Sequence, residues 1–278
     1  MTLFEALTAA RQKIDRLDAR LLLQYATGCS HTDLLARPET PMIAPACAQF
    51  LEWVERRAAG EPLAYLVGEA EFRGRVFQVS PAVLIPRPET EVLVELALEK
   101  LSGLAMPKIL DLGTGSGIVA ISLALESPTA QVTAVDLSFE AISIARNNAG
   151  RLGAKVDFRQ SDWFESLGGE SFDLIVSNPP YVAAADPHLA LDGLPFEPQM
   201  ALTDGADGLD CIRRIVAGAP AHLNPGRWLL FEHGYDQGEA SRRLLRENDF
   251  VKFKTWRDLS KIDRLSGGLF DICQKMTS

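Results

Sequence analysis

From Lys108 onward, short apolar runs alternate with stretches of helical periodicity, and few folds accept that alternation. KILDLG, QVTAVD, KVDFRQ, FDLIVSNPP and RWLLFEHG read as strands. GIVAISLALE, SFEAISIARNNAGRLG, LDCIRRIVAGAPAHL and EASRRLLREN read as the helices among them, and FVKFKTW and LFDICQK close the series as strands. Strands that are apolar throughout and joined by helices belong to a mostly parallel sheet covered on both faces. The expected fold class is therefore α/β, a Rossmann-like sheet whose ligands bind at the carboxyl ends of the strands, near the switch in strand order.

The first part of the chain has a different texture. Leu3, Leu7, Ile14, Leu17, Leu21 and Leu22 recur at helix spacing, a short helical turn is expected near Thr32 to Arg37, and a second helix from about Ala46 to Ala59, ended by Gly60 and Pro62. No motif with an obvious chemistry lies there, and a small helical bundle is the plain reading. EFRGRVFQVSPAVLIP then combines aromatic and β-branched residues with Gly74, which reads as a hairpin. PETEVLVELALEKL follows as a helix, with Glu89 and Glu91 where the helix dipole favours negative charge. The expected organisation is a helical domain over residues 1–71 that docks a substrate, a linker hairpin over 72–86 and the sheet domain over 87–278.

Composition narrows the class. With 47% hydrophobic and 23% charged residues the chain is an ordinary globular one. Its net charge of −9 argues against a protein that grips nucleic acid by its phosphates. Cys29, Cys47, Cys211 and Cys273 form no CxxC pair and lie near no histidine at zinc spacing, so they read as reduced thiols and no metal is expected. MTLFEALTAARQKIDRLDAR lacks the apolar core of a signal peptide, and no run approaches the roughly 18 apolar residues of a membrane span. A cytoplasmic protein without a membrane partner is the expectation.

Strand KILDLG runs into Gly113-Thr114-Gly115-Ser116-Gly117 and then a helix. Glycines here permit positive φ and close approach of a ligand to the backbone, beside a helix N-terminus. A dinucleotide would require G-x-G-x-x-G, and the third position falls on Ile118. The G-x-G-x-G spacing suits the amino-acid half of S-adenosyl-L-methionine, which has no pyrophosphate. The next strand ends in Asp136, 136 − 117 = 19 residues past the last glycine, where an acid can accept hydrogen bonds from ribose hydroxyls. Asp162 and Trp163 follow the third strand, placed to take an adenine amino group and to pack on the purine face; a surface turn with a half-buried indole is the other reading. A tight structural turn alone would also account for the glycines.

Asn178-Pro179-Pro180-Tyr181 ends the fourth strand. The prolines fix φ and remove two backbone donors, asparagine offers one acceptor and two donor hydrogens, and tyrosine offers a flat face. Those parts suit methylation of an amide or aryl amine, whose nitrogen lone pair is delocalised and weakly nucleophilic. Asn178 Oδ1 and the Pro179 carbonyl can each accept one N–H, which favours a more tetrahedral nitrogen, while Tyr181 stacks on the planar group. A rigid Pro-Pro loop capping a strand is the structural alternative.

With DLGTGSG and NPPY the chain resembles the class I amino-methyltransferases, and more closely the HemK/PrmC family of peptide chain release factor N5-glutamine methyltransferases. PLAYLVGEAEF, VLIPRPETE, ILDLGTGSGIVAISLA, SDWF, IVSNPPYV, DPHL and FEPQMAL look like that family's segments in its order, over nearly the whole chain. The resemblance implies cofactor contacts at Gly113, Thr114, Gly115, Ser116, Gly117, Asp136, Trp163 and Asn178, and substrate contacts at Asn178, Pro179, Pro180 and Tyr181. The implied substrate is the glutamine of the Gly-Gly-Gln loop in class 1 peptide chain release factors. Arg73 departs from the family pattern, where a bulky apolar residue is usual, and the tail KIDRLSGGLF fits it loosely.

Arg87 and Glu89 either border the active cleft or merely open a helix, and His188 either meets substrate or caps a surface turn. Glu232 and His233 end a strand on the ligand side, with no spacing that supports a metal or triad. Two other functions remain. An amino-methyltransferase acting on adenine or guanine in DNA or RNA would also suit NPPY but predicts a basic target-reading domain. A cofactor-binding scaffold gives no reason for the NPPY loop.

Overall fold

The computed structural model describes residues 1–191 and 193–271. It divides into two compact units, Met1–Glu69 with Ala190–Phe196, and Ala70–Leu189 with Glu197–Ser278.

The helical unit holds α1 (Leu3–Ala10), α2 (Arg16–Thr27), α3 (His31–Ala36), α4 (Ala44–Ala58) and α5 (Leu63–Val67). The leucine run that reads as continuous helix is broken into α1 and α2, because each start is capped. Thr2 and Glu5 form a reciprocal capping box, and the Asp15 side chain accepts from Leu17 N–H. Leu22, Leu23 and Phe50 are fully buried at the centre of this unit's own core.

β1 (Glu69–Phe72) and β2 (Arg75–Gln78) form the hairpin, so the strands start three residues earlier than the sequence suggests and end well before Pro86. Arg73 and Gly74 both have positive φ, 50° and 70°, as a two-residue turn of the hairpin type requires. Arg73 also explains its own departure from the family pattern. Its guanidinium makes two hydrogen bonds, 3.0 and 2.8 Å, to Glu126 at the end of a sheet-covering helix, and Arg75 adds a third at 2.8 Å.

The second unit continues with α6 (Thr90–Leu101), β3 (Lys108–Leu112), α7 (Ile118–Glu126), β4 (Gln131–Asp136), α8 (Phe139–Leu152), β5 (Val156–Gln160), β6 (Phe172–Ser177), α9 (Gln199–Leu202), α10 (Asp210–Gly218), β7 (Leu223–Glu232), α11 (Gly238–Glu247), β8 (Phe250–Arg257) and β9 (Asp263–Phe270). The strand order is β5-β4-β3-β6-β7-β9-β8, with the first five parallel and β9 antiparallel to both its neighbours. The α/β class and the Rossmann-like sheet are therefore as the sequence implies. The loosely fitting tail segment is mostly β9. The expected strand LFDICQK runs past Asp271 into residues 272–275, which lie outside the described residues, as does Cys273. Cys29, Cys47 and Cys211 are free thiols.

Each strand of the sheet's middle buries both faces. Ile109, Leu174, Val176 and Leu230 join α6, α7 and α8 in one core, while Leu110, Leu112, Ile175, Leu229 and Phe231 join α10 and α11 in the other. Alternation of period two on a sheet with two covered faces is why these strands read as unbroken apolar runs.

β9 runs so close to its neighbours that it needs glycine. A Cβ on Gly267 would lie 2.5 Å from the Leu229 carbonyl oxygen and 2.5 Å from Leu230 Cδ2. Gly267→Ala is expected to destabilise the sheet unit by about 2 kcal/mol and lower the melting temperature by about 4–8 °C. Gly150→Ala in α8, where an added Cβ meets open space, is expected to leave the melting temperature unchanged or raise it. Thermal melts followed by circular dichroism check both.

Candidate functional site

Register brings the chemistry together. Leu112 pairs with Val135 and with Ser177, Val135 with Arg159, and Ser177 with Phe231. The next residue on each strand, Gly113, Asp136, Gln160, Asn178 and Glu232, therefore falls in one row along the carboxyl edge. Over part of this row lies a cavity of about 290 Å³. Gly113, Thr114, Gly115, Ser116, Asp136, Asp162, Trp163, Asn178 and Pro180 all line it. Gly117, Pro179 and Tyr181 do not.

The glycine turn is held from both ends. Gly113 and Thr114 N–H both donate to the Val135 carbonyl at 2.9 Å, and Gly115 N–H donates to Asp136 Oδ2 at 2.8 Å. Asp136 Oδ1 accepts from Ser138 N–H at 2.9 Å. Each carboxylate oxygen accepts one N–H and keeps further accepting capacity, and burial pushes the Asp136 pKa up. Gly113, Gly115 and Gly117 have φ of 71°, 56° and 87°. Gly117 serves packing, since a Cβ there would stand 2.8 Å from Ile121 Cδ1. Trp163 has a φ of 48°, and its indole borders Gly113, whose added Cβ would lie 3.7 Å from Cζ3. Asp162 is paired to Arg214 at 2.8 Å.

Two residues behind the turn have roles that the sequence reading does not give. Asp111 is buried and accepts from Thr114 Oγ1 at 2.7 Å and from Ala120 N–H at 3.2 Å. Burial pushes its carboxyl up to about 7. Asn148 of α8, fully buried, donates to the Ser116 carbonyl at 2.9 Å and exchanges two hydrogen bonds with the Gln78 backbone. An asparagine in mid-helix gives no sequence signal of this role, because its partners are distant backbone groups.

Asn178 follows β6, whose end is tied to β3 by a 2.8 Å hydrogen bond from Ser177 Oγ to the Leu112 carbonyl. Its Nδ2 donates to Thr90 Oγ1 at 3.2 Å. Pro179 is buried. Tyr181 packs against the α10–α11 core, and burial pushes its hydroxyl up to about 12. The Tyr181 carbonyl accepts from Gln237 Nε2 at 2.9 Å, and Gly208 fits tightly beside it. Arg87 lines the cavity and pairs with Glu197, which is buried and also accepts from Ile85 N–H at 3.0 Å. Glu89 caps α6 from the backbone. His188 is exposed and bonds Asp186, a surface-turn role. His233 is buried between the Gly234 carbonyl and Ser266 Oγ. No cluster fit for a metal occurs among the described residues.

The cavity lining carries four carboxyl groups, Asp111, Asp136, Asp162 and Asp204, of which Asp111 keeps its proton up to about pH 7, against two guanidiniums, Arg87 and Arg214. Both guanidiniums are already paired with acids. Such a lining opposes a pyrophosphate and favours a ligand with positive charge. A small cationic molecule with a ribose fits the open backbone of Gly113 and Gly115, the Asp136 lone pairs and the Trp163 indole.

Comparison with known proteins follows the same lines. The Methyltransferase small domain family matches residues 89–192, and the PrmC N-terminal domain family matches residues 3–68. A release factor glutamine methyltransferase of Burkholderia pseudomallei is 51% identical over 262 residues, 92% of each chain. One of Bordetella pertussis is 49% identical over 269 residues, 96% of this chain and 99% of its own. Among solved structures, a 16S rRNA methyltransferase of T. Thermophilus, determined with AdoMet and guanosine, superimposes with a TM-score of 0.55 at 23% identity, over 73% of this chain and 49% of its own. That likeness concerns the fold.

The buried Asp111 makes a test of the site's electrostatics. Its ordinary value is about 3.9, so between about pH 4 and 7 the folded protein holds a proton that the unfolded chain has released. Stability therefore falls as pH rises through that window. Asp111→Asn, which cannot ionise, is expected to gain in melting temperature relative to the parent between pH 5 and 8, measured on ligand-free protein. A difference independent of pH would contradict the burial of this carboxyl.

Proposed function

The chain belongs to the release factor glutamine methyltransferases, and on that premise we propose that it methylates the side-chain amide nitrogen of the glutamine in the Gly-Gly-Gln motif of class 1 peptide chain release factors, with S-adenosyl-L-methionine as methyl donor. The observation that carries the residue assignment is the placement of Asn178 and the glycine turn on one cavity. Gly113, Thr114, Gly115 and Ser116 would hold the amino-acid half of the cofactor, Asp136 the ribose, and Asp162 and Trp163 the base. When bound, the cofactor supplies a sulfonium methyl, an electrophile toward nitrogen.

What remains for the protein is to present a poor nucleophile correctly. The Asn178 Nδ2 is engaged by Thr90, which leaves Oδ1 as the acceptor for a substrate N–H. The Pro179 carbonyl, buried and off the cavity wall, would become the second acceptor only with the same opening of the loop that Tyr181 needs, in a backbone that the two prolines stiffen. Pro180 forms cavity wall. Tyr181, packed against the core, braces that backbone; its ring stacks on the substrate amide only if the loop opens. Positioning of this kind contributes most of the rate in a transfer with no proton to remove first. The amide N–H turns acidic once alkylated, so the proton leaves to water.

The helical unit is read as the docking module for the release factor. A translation substrate and free thiols point to the cytoplasm, and no helix among the described residues is long and apolar enough to cross a membrane. Methylation of adenine or guanine in nucleic acid is disfavoured by the net charge of −9.

Purified protein, labelled cofactor and either release factor or duplex DNA separate these substrates. A gain of about 14 daltons on the glutamine of the release factor is expected from one added methyl group. Label in the nucleic acid alone would overturn the reading. Asn178→Ala is expected to lower kcat about 100-fold or more while cofactor still binds. Asp136→Ala is expected to weaken cofactor binding, read by calorimetry, about tenfold or more.

A further inference from the structure

The turn after β5 holds a strained residue between two anchors. Trp163 has a φ of 48°, and an L residue of its bulk takes that conformation only where its surroundings impose it. Its neighbours show what does so. Ser161 N–H donates to the Asp136 carbonyl at 2.9 Å, and Ser161 Oγ accepts from Ser166 N–H at 2.9 Å. Asp162 Oδ2 accepts from Arg214 Nη2 at 2.8 Å. Phe164 stacks on His222 with ring centroids 4.9 Å apart, and a Cβ on Gly218 would lie 2.5 Å from its Cε2. Arg214 and Gly218 both belong to α10. The residues on either side of Trp163 are therefore tied to one helix, while the indole between them lies beside Gly113.

α10 divides its faces accordingly. Ile212, Ile215 and Val216 are buried in the core, whereas Cys211 and Arg214, one turn apart, line the cavity. The Arg214 and Asp162 side chains are 49% and 32% exposed, and an ion pair so open to water contributes little to folding. What the pair fixes is geometry. The guanidinium holds one carboxylate oxygen; the other, Oδ1, accepts no hydrogen bond among the described residues and keeps its full accepting capacity.

We propose that Arg214 is a positioning residue for the base of the cofactor: it holds Asp162 as a fixed acceptor for the exocyclic amino group of adenine, and so selects a 6-amino over a 6-oxo purine. The inference rests on the reading of Asp162 and Trp163 as the residues that hold the base. A 6-oxo purine presents an acceptor oxygen, which an ionised carboxylate repels. An unpaired guanidinium on the same wall would donate to that oxygen, so pairing Arg214 with Asp162 also withdraws the donor that would favour the wrong base. Charge alone predicts the opposite effect of removing Arg214. A cation on the wall opposes a cationic cofactor, so its loss would tighten binding if charge were its whole contribution. Loss of positioning weakens binding, and the two effects differ in sign.

The test compares Arg214→Gln, Arg214→Lys, Asp162→Ala and the double variant Asp162→Ala with Arg214→Gln against the parent. Calorimetric titrations use S-adenosyl-L-methionine, S-adenosylhomocysteine and S-inosylhomocysteine. Arg214→Gln is expected to weaken S-adenosyl-L-methionine about tenfold and to narrow the preference for the adenosyl over the inosyl compound by about the same factor. Arg214→Lys, which keeps a donor and a charge, recovers part of both. In the Asp162→Ala background the change Arg214→Gln costs no further affinity, because Arg214 acts through that carboxylate. With intact release factor as substrate, the loss appears in KM for the cofactor rather than in kcat. Parent-like affinity and base preference in Arg214→Gln, while Asp162→Ala loses both, would overturn the proposal. So would tighter binding of S-adenosyl-L-methionine, full additivity in the double variant, or a lowered melting temperature with the base preference intact, which marks a role in folding alone. An Asp162→Ala protein with the affinity and preference of the parent would instead refute the reading of Asp162 as a contact to the base.

Discussion

The strand order reverses at β3, and the chemistry of the molecule depends on that reversal. β4 and β5 extend from β3 in one direction, β6 and β7 in the other. α7, which follows β3, covers one face of the sheet, while α10, which follows β6, covers the other. The loops that leave β3 and β6 therefore part company, and a crevice opens between them. Parallel pairing without a slip at the strand tips then aligns Gly113, Asp136, Asn178 and Glu232. A shift of one residue in any pair would exchange these side chains for ones that point into the cores.

Within that crevice the protein accumulates acid that it could fold more easily without. Burial pushes up the carboxyls of Asp111, Asp136 and Glu232, which means that ionising each of them opposes folding. Such groups cluster where a ligand or a reaction supplies the compensation. For Asp111 and Asp136 part of the compensation is already in place, as backbone N–H groups that donate to them. Glu232 stands one strand further along, off the cavity wall, and its Oε1 has no hydrogen-bond partner among the described residues.

Much of this was legible from residues alone. The apolar runs with intervening helices led to the sheet, and the glycine spacing with Asp136 and Asn178 led to one cavity. Those signals are local: a strand end, a turn, an acid a fixed distance on. The hairpin boundaries were less legible, since Val83 and Ile85 look like strand residues but lie in an irregular segment tied down by Glu197, a partner 112 positions away. Asn148 and Thr90 were not legible as parts of the site. Each is an ordinary residue in an ordinary element until the fold brings Gln78, Ser116 or Asn178 against it. Tyr181 was legible as an aromatic in the loop after β6 but not in its packing against the core, because the sequence does not say which way a ring turns.

An asparagine amide is nearly symmetric in shape and wholly asymmetric in polarity. Nδ2 and Oδ1 occupy similar volumes, so van der Waals packing cannot choose between the two orientations of Asn178; only hydrogen bonding can. A methyl acceptor that needs its N–H groups accepted makes the choice decisive, because the wrong orientation replaces an attraction by a repulsion at the reacting nitrogen. A threonine alone would not settle it, since a hydroxyl donates or accepts with equal ease. Thr90 sits in the IPRPETE segment and Asn178 in IVSNPPYV, so the hydrogen bond that holds one amide at the tip of β6 joins stretches of sequence 88 positions apart.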